Sequence, residues 1–329
     1  MVRDSFFDVV KCLLIICVIF GHALELGDGA AENTLNHFML CFTMPLFVFI
    51  SGYFTKAHKS SKDLFKRNFK LIETIIVFQL IFITIDILFG KPFEKTMLYV
   101  PSWGLWYLFS LFCWRTLVVF INPQRINVYI CVLISLTLCL LCGYVDLTIE
   151  FSFQRTFYFF PFFMIGHCLA LNKIDIKSYC LSLKKSILIL SCTLLVCIMI
   201  CVIKEVSIGG LFLGSYNYSP QTPLASFTGH EGLIIVRFII LLGSFLIGFS
   251  FLSLCKYIKA NNKILSIGNN TLFFYIYHLF IFAILKKANI PTSLTFILLY
   301  TIITIVCLYQ LRNNKVLIKL LNPITSHFK

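Results

Sequence analysis

The first apolar stretch of the chain carries ionisable residues at helical spacing. In "KCLLIICVIFGHALELG", Lys11 to Gly27, a run of almost wholly apolar residues separates Lys11 from His22. At 100° per residue, Asp8, Lys11 and His22 fall near one helical face, with Lys11 and His22 only about 20° apart. Ionisable groups are costly in a bilayer and usually face a protein interior or a watery cavity. A neutral His22 there predicts a general base, and a histidine satisfied by a neighbouring helix is the open alternative.

A basic cluster in "KDLFKRNFKLIE", Lys62 to Glu73, is the second candidate for chemistry. Arg67 and Lys70 are three positions apart and are therefore neighbours on one helical face. Such a pair could hold the phosphates of a cytosolic nucleotide or cofactor. The alternative is the ordinary positive charge of a cytoplasmic loop.

The third candidate is "GNNTLFFYIYHLF", Gly268 to Phe280. We expect Asn269 or Asn270 to cap a helix that carries His278 near mid-membrane, where a packed histidine is again the alternative. Further polar candidates lie near the predicted membrane surfaces, where snorkelling of long side chains would also explain them: Arg115, Arg155, His230, Glu231 and Arg237.

The composition indicates that these segments lie in a membrane. Of 329 residues, 59% are hydrophobic and 13% are charged, against about 45–50% apolar and 25% charged in soluble domains. Apolar runs continue almost to the end of the chain, so the first run is predicted to be a transmembrane helix and not a signal peptide. The fourteen cysteines lie mostly inside apolar runs and are interpreted as small hydrophobic residues, so no metal site is predicted.

The apolar runs predict an all-α, polytopic membrane protein. Spanning helices need about 17–25 mostly apolar residues. Ten segments qualify, roughly Val9–Leu26, Leu35–Phe54, Leu71–Phe89, Trp103–Ile121, Val128–Val145, Thr156–Leu171, Ile187–Ile203, Leu233–Leu254, Thr271–Leu285 and Leu294–Leu311. We see no repeat or second domain, so we expect one integral-membrane domain over residues 1–329 with no fused extracytoplasmic domain.

The distribution of charge predicts the topology. With a cytoplasmic N-terminus, about three quarters of the 28 lysines and arginines fall on the inner side, as expected for cytoplasmic loops. Both termini are therefore predicted to be cytoplasmic. This asymmetry explains the net charge of +14, and without a basic tail or soluble domain no nucleic-acid partner is predicted. Residues 204–232 form a long outer loop, which is either functional or a simple connector.

Five blocks in order resemble membrane acyltransferase family 3, in particular its fucose 4-O-acetylase-like branch of bacterial sugar O-acetyltransferases. The spacing of Lys11 and His22 matches the opening motif, in which a basic residue precedes the catalytic histidine by eleven positions. Arg67-x-x-Lys70 is similar to the paired-arginine motif linked to acyl-CoA phosphates, with lysine in place of the second arginine. The blocks are "RDSFFDVVKCLLIICVIFGHAL", "FTMPLFVFISGYF", "WGLWYLFSLFCWR", "RTFYFFPFFMIGH" and "GNNTLFFYIYHLF".

The resemblance implies an enzyme of the bacterial plasma membrane. It would transfer an acyl group, expected to be acetyl, from acetyl-CoA to a hydroxyl of a sugar in a cell-surface polysaccharide or its lipid-linked precursor. His22 would act as general base or become transiently acylated, and Asp8 could orient Lys11.

The other predicted residues would bind the two substrates. Arg67, Lys70 and Arg115 would lie on the donor side. The expected acceptor-side residues are Arg155, His230, Glu231, Arg237 and His278.

Two other classes remain open from the residues alone. A transporter or flippase for a lipid-linked glycan or small organic acid would also need many helices and buried charges, and it predicts an internal repeat with broken helices. A scaffolding membrane protein would not explain the polar stripe of the first helix. Nothing in the sequence predicts the oligomeric state.

Overall fold

The structure of the chain, a computed structural model, describes residues 5–55, 61–121, 123–124, 126–145, 150–202, 209–219, 225–288 and 290–321. Within these ranges, the side chains of residues 61–67, 150, 201–202, 209, 225–227 and 230 lie outside the description. The described residues form helices and no strand. The all-α prediction is therefore confirmed.

The helices follow the apolar segments of the sequence. Short 3₁₀ turns lie between several of them, among them Trp103–Leu105 immediately before α5. The α-helices are α1 Ser5–Leu24, α2 Ala30–Leu40, α3 Thr43–Tyr53, α4 Ser61–Leu88, α5 Trp106–Ile121, α6 Val128–Leu141, α7 Phe153–Leu171, α8 Leu183–Val202, α9 Gly209–Phe212, α10 Ala225–Cys255, α11 Asn262–Asn269, α12 Thr271–Lys287, α13 Leu294–Leu311 and α14 Lys315–Leu321.

Each of the ten predicted segments coincides with helix, the second being divided between α2 and α3. By length and composition, seven stretches of the described chain could cross a membrane, or eight if α11 and α12, which are bent by 78°, form one span. Neither α6 nor α7 is among the seven. The protein is thus a polytopic membrane protein, whereas the count of ten and the cytoplasmic termini stay predictions.

The junction of α11 and α12 differs from its predicted capping. Asn270 is the N-cap residue of α12, but its side chain makes no capping hydrogen bond there. Its Nδ2 instead donates to the carbonyl oxygen of Ser266 at 2.8 Å, which satisfies a free carbonyl near the end of α11. The asparagine therefore stabilises the preceding helix, and α12 starts at a sharp bend.

Glycines allow two pairs of helices to approach closely. A Cβ on Gly52 of α3 would collide with the carbonyl oxygen of Phe163 in α7, and one on Gly166 of α7 with that of Phe49 in α3. Likewise, a Cβ on Gly268 would collide with the backbone of α1. Small residues serve this purpose in membrane helix pairs, where van der Waals packing drives association.

Most of the described cysteines are buried or half-buried, as expected of small hydrophobic residues. All thirteen described cysteines are free, and the described residues contain no group of three or more metal-ligating side chains. Cys139 and Cys142 stand in a Cys-x-x-Cys spacing, yet each thiol contacts a backbone carbonyl, Cys139 Sγ at 3.2 Å from Tyr158 O and Cys142 Sγ at 3.1 Å from Cys139 O. These thiols pack as small weakly polar groups.

Candidate active site

The last turn of α1 places His22 in the wall of a cavity of about 220 Å³, called the His22 cavity below. His22 is 23% exposed in its side chain, so the ring is accessible from this space. The cavity lies between α1, α2, α3 and the start of α5 and α7. Its polar and aromatic lining residues are His22, Glu25, Asn36, Thr43, Trp103, Trp106, Arg155 and Tyr275.

A carboxylate orients the His22 ring. Glu25, one turn further along the chain, has its Oε2 at 3.3 Å from His22 Nδ1. Because a carboxylate only accepts hydrogen bonds, this contact puts the proton of a neutral His22 on Nδ1 and leaves Nε2 as the free base. Burial raises the pKa of Glu25, but the positive charge of His22 when it is protonated, the hydrogen bond with His22, and the charges of Lys286 and Arg155 together lower it below its ordinary value. Glu25 is therefore ionised at neutral pH.

Arg155 and two tryptophans, Trp103 and Trp106, also line the His22 cavity. The guanidinium carbon of Arg155 lies 5.4 Å from the centroid of the Trp106 ring, and its Nε donates to Ser215 Oγ at 3.0 Å. Trp103 adopts a positive φ of 50°, which is rare for a bulky residue and concentrates at functional sites. The wall combines flat apolar faces with a fixed cation.

The described part of the long loop contributes to the wall of this cavity. Leu213 is one of its lining residues, and Ser215 accepts the hydrogen bond from Arg155. Tyr218 donates to the carbonyl oxygen of Leu140 at 3.0 Å. The loop is therefore fastened to the helices beside the cavity.

A second and larger cavity, called the Lys11 cavity, lies at the other end of α1. It has a volume of about 430 Å³. Lys11 Nζ, 2.8 Å from Asp8 Oδ1, forms the ion pair expected from their spacing. His22 lies eleven positions after Lys11 in α1, a rise of about 16 Å. The other polar residues that line this cavity are Ser51, Tyr107, Arg115, Thr271 and Tyr275.

The basic cluster at the start of α4 lies next to the Lys11 cavity. Leu71 lines that cavity and directly follows Lys70, which is half-buried. Asn68 Nδ2 donates to Thr116 Oγ1 at 3.2 Å and so joins α4 to α5 beside Arg115. The backbone of Arg67 belongs to α4, and its side chain lies outside the described residues.

A comparison with protein families agrees with this arrangement. The family model described as "Acyltransferase domain" matches residues 4–310, which include both cavities. The chain belongs to acyltransferase family 3. Comparisons with the curated proteins and with the solved structures find no match. As a member of this family, the protein is a membrane acyltransferase, which favours the enzyme over the transporter.

His278 of this acyltransferase lies next to His22. It is not among the described residues that line either cavity. Its side chain is fully buried, and its ring centroid is 5.3 Å from that of His22. His278 Nδ1 is 2.8 Å from the carbonyl oxygen of Phe274 and must donate to it. Its buried Nε2 has no hydrogen-bond partner among the described residues.

Arg237 and Glu231 are not among the described residues that line the His22 cavity. The guanidinium of Arg237 donates to Cys139 O at 3.1 Å, to Cys142 Sγ at 3.2 Å and to Tyr216 O. Glu231 is exposed near the start of α10, and the side chain of His230 lies outside the described residues. The described structure thus brings only Arg155 of the predicted acceptor group into the His22 cavity.

Two residues of the acyltransferase site were not predicted from the sequence. Glu25 lies just beyond the end of α1, three positions after His22. This spacing could have identified it, because residues three apart in a helix are neighbours. Tyr275 lines both cavities, and a pattern of apolar and aromatic residues gave no sign of this. Four of the predicted residues do line a cavity: Lys11, His22, Arg115 and Arg155.

Proposed function

We propose that this acyltransferase moves an acetyl group from acetyl-CoA to a hydroxyl of a sugar, in a cell-surface polysaccharide or its lipid-linked precursor at the bacterial plasma membrane. The observation that carries the proposal is the contact of 3.3 Å between His22 Nδ1 and Glu25 Oε2. It leaves His22 Nε2 as a base beside a cavity that can hold a small acceptor.

The lining of the His22 cavity supports a sugar as the acceptor. A sugar ring has apolar C–H faces and a rim of hydroxyls, and it needs flat aromatic surfaces beside hydrogen-bonding groups. Trp103, which is half-buried, offers such a surface. The Oδ1 of Asn36 is buried with no hydrogen-bond partner among the described residues, so an acceptor hydroxyl could donate to it. Arg155 and Glu25 would bind further hydroxyls.

The Lys11 cavity suits the donor. CoA carries several phosphates, and basic side chains bind phosphate oxygens through charge-assisted hydrogen bonds. Lys11 and Arg115 line the cavity, and the Arg67–Lys70 turn of α4 lies at its edge. In this proposal, Arg67 and Lys70 hold the phosphates and the pantetheine arm extends through the cavity toward His22.

His22 performs the proton transfer in this mechanism. Its Nε2 takes the proton of the acceptor hydroxyl as the hydroxyl oxygen attacks the thioester carbonyl carbon. The resulting oxyanion collapses, the C–S bond breaks, and the proton passes from His22 to the CoA thiolate, which leaves as the free thiol. Glu25 stabilises the transient imidazolium through the contact with Nδ1. Asp8 orients Lys11 in this mechanism, and it lies too far along α1 to touch His22.

The proposal is tested with purified protein in nanodiscs. Release of CoA thiol from acetyl-CoA and labelling of the acceptor by [14C]acetyl-CoA are measured with a panel of methyl glycosides. His22→Asn removes the base and should lower transfer at least about a hundredfold, the usual contribution of such a group. The matched control is His37→Asn on α2, because His37 does not line the His22 cavity.

Two outcomes would contradict the proposal. Transfer by His22→Asn at a rate close to wild type would remove His22 from the mechanism. Absence of acetyl transfer by well-folded wild type to every glycoside would remove the sugar acceptor. CoA release in water without glycoside would retain the acetyl-CoA donor and point to a different acceptor.

A further inference from the structure

The Lys11 cavity and the His22 cavity meet at one side chain. Among the described lining residues, Tyr275 is the one that both cavities share. On three helices, a residue that lines one cavity is a near neighbour of a residue that lines the other. The Lys11 cavity is lined by Leu14 on α1, Phe47 on α3 and Tyr107 on α5. The His22 cavity is lined by Cys17, Met44 and Trp106 on the same three helices. A separation of three residues in a helix is about 4.5 Å. The two spaces therefore abut within one helical turn, and the Tyr275 ring lies in the wall between them.

Tyr275 is held in this wall by its hydroxyl and by its neighbours. The hydroxyl donates to the carbonyl oxygen of Gly104, and a Cβ on Gly104 would lie only 2.9 Å from that hydroxyl oxygen. The ring packs against Tyr107 at 5.4 Å and Phe47 at 6.3 Å between centroids. Tyr107 is itself fixed by a 2.5 Å hydrogen bond between its hydroxyl and Ser51 Oγ.

The position of this ring has a consequence for the acyl group. A thioester donor that enters by the Lys11 cavity must bring its carbonyl carbon past Tyr275 to a hydroxyl activated by His22. The His22 cavity, at about 220 Å³, must then contain both the acyl chain and the acceptor. Each added methylene of the acyl chain would need room that the fixed ring occupies.

We infer that Tyr275 is the residue that limits the length of the acyl group. Its ring admits the acetyl end of the donor and excludes longer chains, and the hydrogen bond to Gly104 keeps the ring in place. This inference rests on the proposed acyl-CoA reaction and adds a specificity determinant to it. Discrimination by one methylene in an apolar pocket is typically about 10–200-fold.

The test compares donors of increasing length. For wild type, Tyr275→Leu and Tyr275→Phe, kcat/KM is measured with acetyl-CoA, butanoyl-CoA and hexanoyl-CoA and the glycoside on which wild type is most active. Tyr275→Leu removes the ring and should reduce the preference for acetyl-CoA over hexanoyl-CoA at least about tenfold. Tyr275→Phe keeps the ring and should retain most of the preference.

The matched control is Tyr277→Leu. Tyr277 lies two positions along α12 and donates to the carbonyl oxygen of Leu317 at 2.7 Å, but it does not line either cavity. The variant should keep the donor preference of wild type. If Tyr275→Leu does not fold, Tyr275→Met serves instead, because its flexible side chain fills more of the space without forming a ring.

The outcomes separate this inference from the proposed function. If wild type turns over none of the acyl-CoA donors, the proposed function fails and the inference fails with it. If wild type transfers acetyl but the Leu and Met variants keep its donor preference, only the inference is overturned. Loss of preference in Tyr275→Leu but not in Tyr277→Leu would establish Tyr275 as the determinant.

Discussion

The imidazole rings of His22 and His278 lie 5.3 Å apart between centroids, inclined by 40°. His22 faces a cavity, whereas His278 is fully buried and fixed by its Nδ1–H bond to Phe274 O. A rigid group behind a catalytic base holds that base in its productive orientation, since a misplacement of about 1 Å can cost a hundredfold in rate. We therefore expect His278 to position His22, while the acceptor contact predicted for it from the sequence stays a prediction.

Replacement of His278 by alanine should lower kcat about 10–100-fold because the His22 ring loses its support. The KM for acetyl-CoA should stay near its wild-type value, since His278 is not among the described residues that line the Lys11 cavity. His278→Gln, which refills part of the space, should recover some of the rate. Steady-state kinetics at varied acetyl-CoA concentration would measure whether kcat falls while the KM for acetyl-CoA stays constant. A rise in KM for the acceptor at constant kcat would instead support direct binding.

Glu25→Gln should lower kcat about 10–100-fold with unchanged donor KM. The amide keeps the shape of the side chain but loses the negative charge that stabilises the imidazolium of His22. The exposed part of Glu25 limits the effect, because solvent screens the pair. Transfer rates at saturating substrates would measure the change. Unaltered kcat would show that Glu25 has no part in proton transfer.

The stability of wild type relative to Glu25→Gln should depend on pH. The folded-state pKa of Glu25 is lower than usual because nearby positive charges outweigh the effect of burial. The carboxylate therefore adds stability above its unfolded-state pKa of about 4.3, and this is lost as pH falls through the lower folded value. Thermal unfolding in detergent should show the largest difference near neutral pH and none below the folded pKa.

Arg237→Lys should lower stability and leave substrate binding unchanged. The fork of Arg237 joins the end of α6 to the long loop through Cys139 O and Tyr216 O, and its guanidinium carbon lies 4.7 Å from the Tyr218 ring centroid. Lysine cannot make these contacts together, so unfolding should be easier by about 1.5–3 kcal/mol. Thermal unfolding and acceptor KM would be compared. Intact stability with a raised acceptor KM would support the acceptor role predicted from the sequence.

The sequence predicted the polar stripe of α1 because helical periodicity alone determines which residues share a face. Lys11 and His22 indeed line cavities on α1. The same rule could not find the partners of that stripe on other helices. His278 reaches His22 only through the packing of α12 against α1, and Arg237 meets Cys142 across almost a hundred residues of chain. An arginine near a membrane surface can extend to the interface or bind a substrate, and both roles give the same sequence pattern. Only tertiary contacts distinguish the two roles.

Lys70→Gln should raise the KM for acetyl-CoA about fivefold, the effect of losing one partly exposed ionic contact. With S-acetylpantetheine, which lacks the phosphates, the KM should not change. The control is Lys256→Gln, an exposed lysine just after α10. An equal rise in KM for both donors would show that Lys70 does not bind phosphate. No change for either donor would assign the cluster to membrane topology alone.

Gly52→Ala and Gly166→Ala should each destabilise the protein by roughly 1–3 kcal/mol, as overpacking usually does. The added methyl group would press on a carbonyl oxygen of the facing helix, so α3 and α7 would have to separate. The control is Gly243→Ala in α10, where a Cβ meets no atom within 4 Å and alanine favours the helix. Thermal unfolding can be followed with a thiol-reactive dye, because most described cysteines are buried or half-buried. Equal stability of all three variants would show that the close α3–α7 approach does not hold the bundle together.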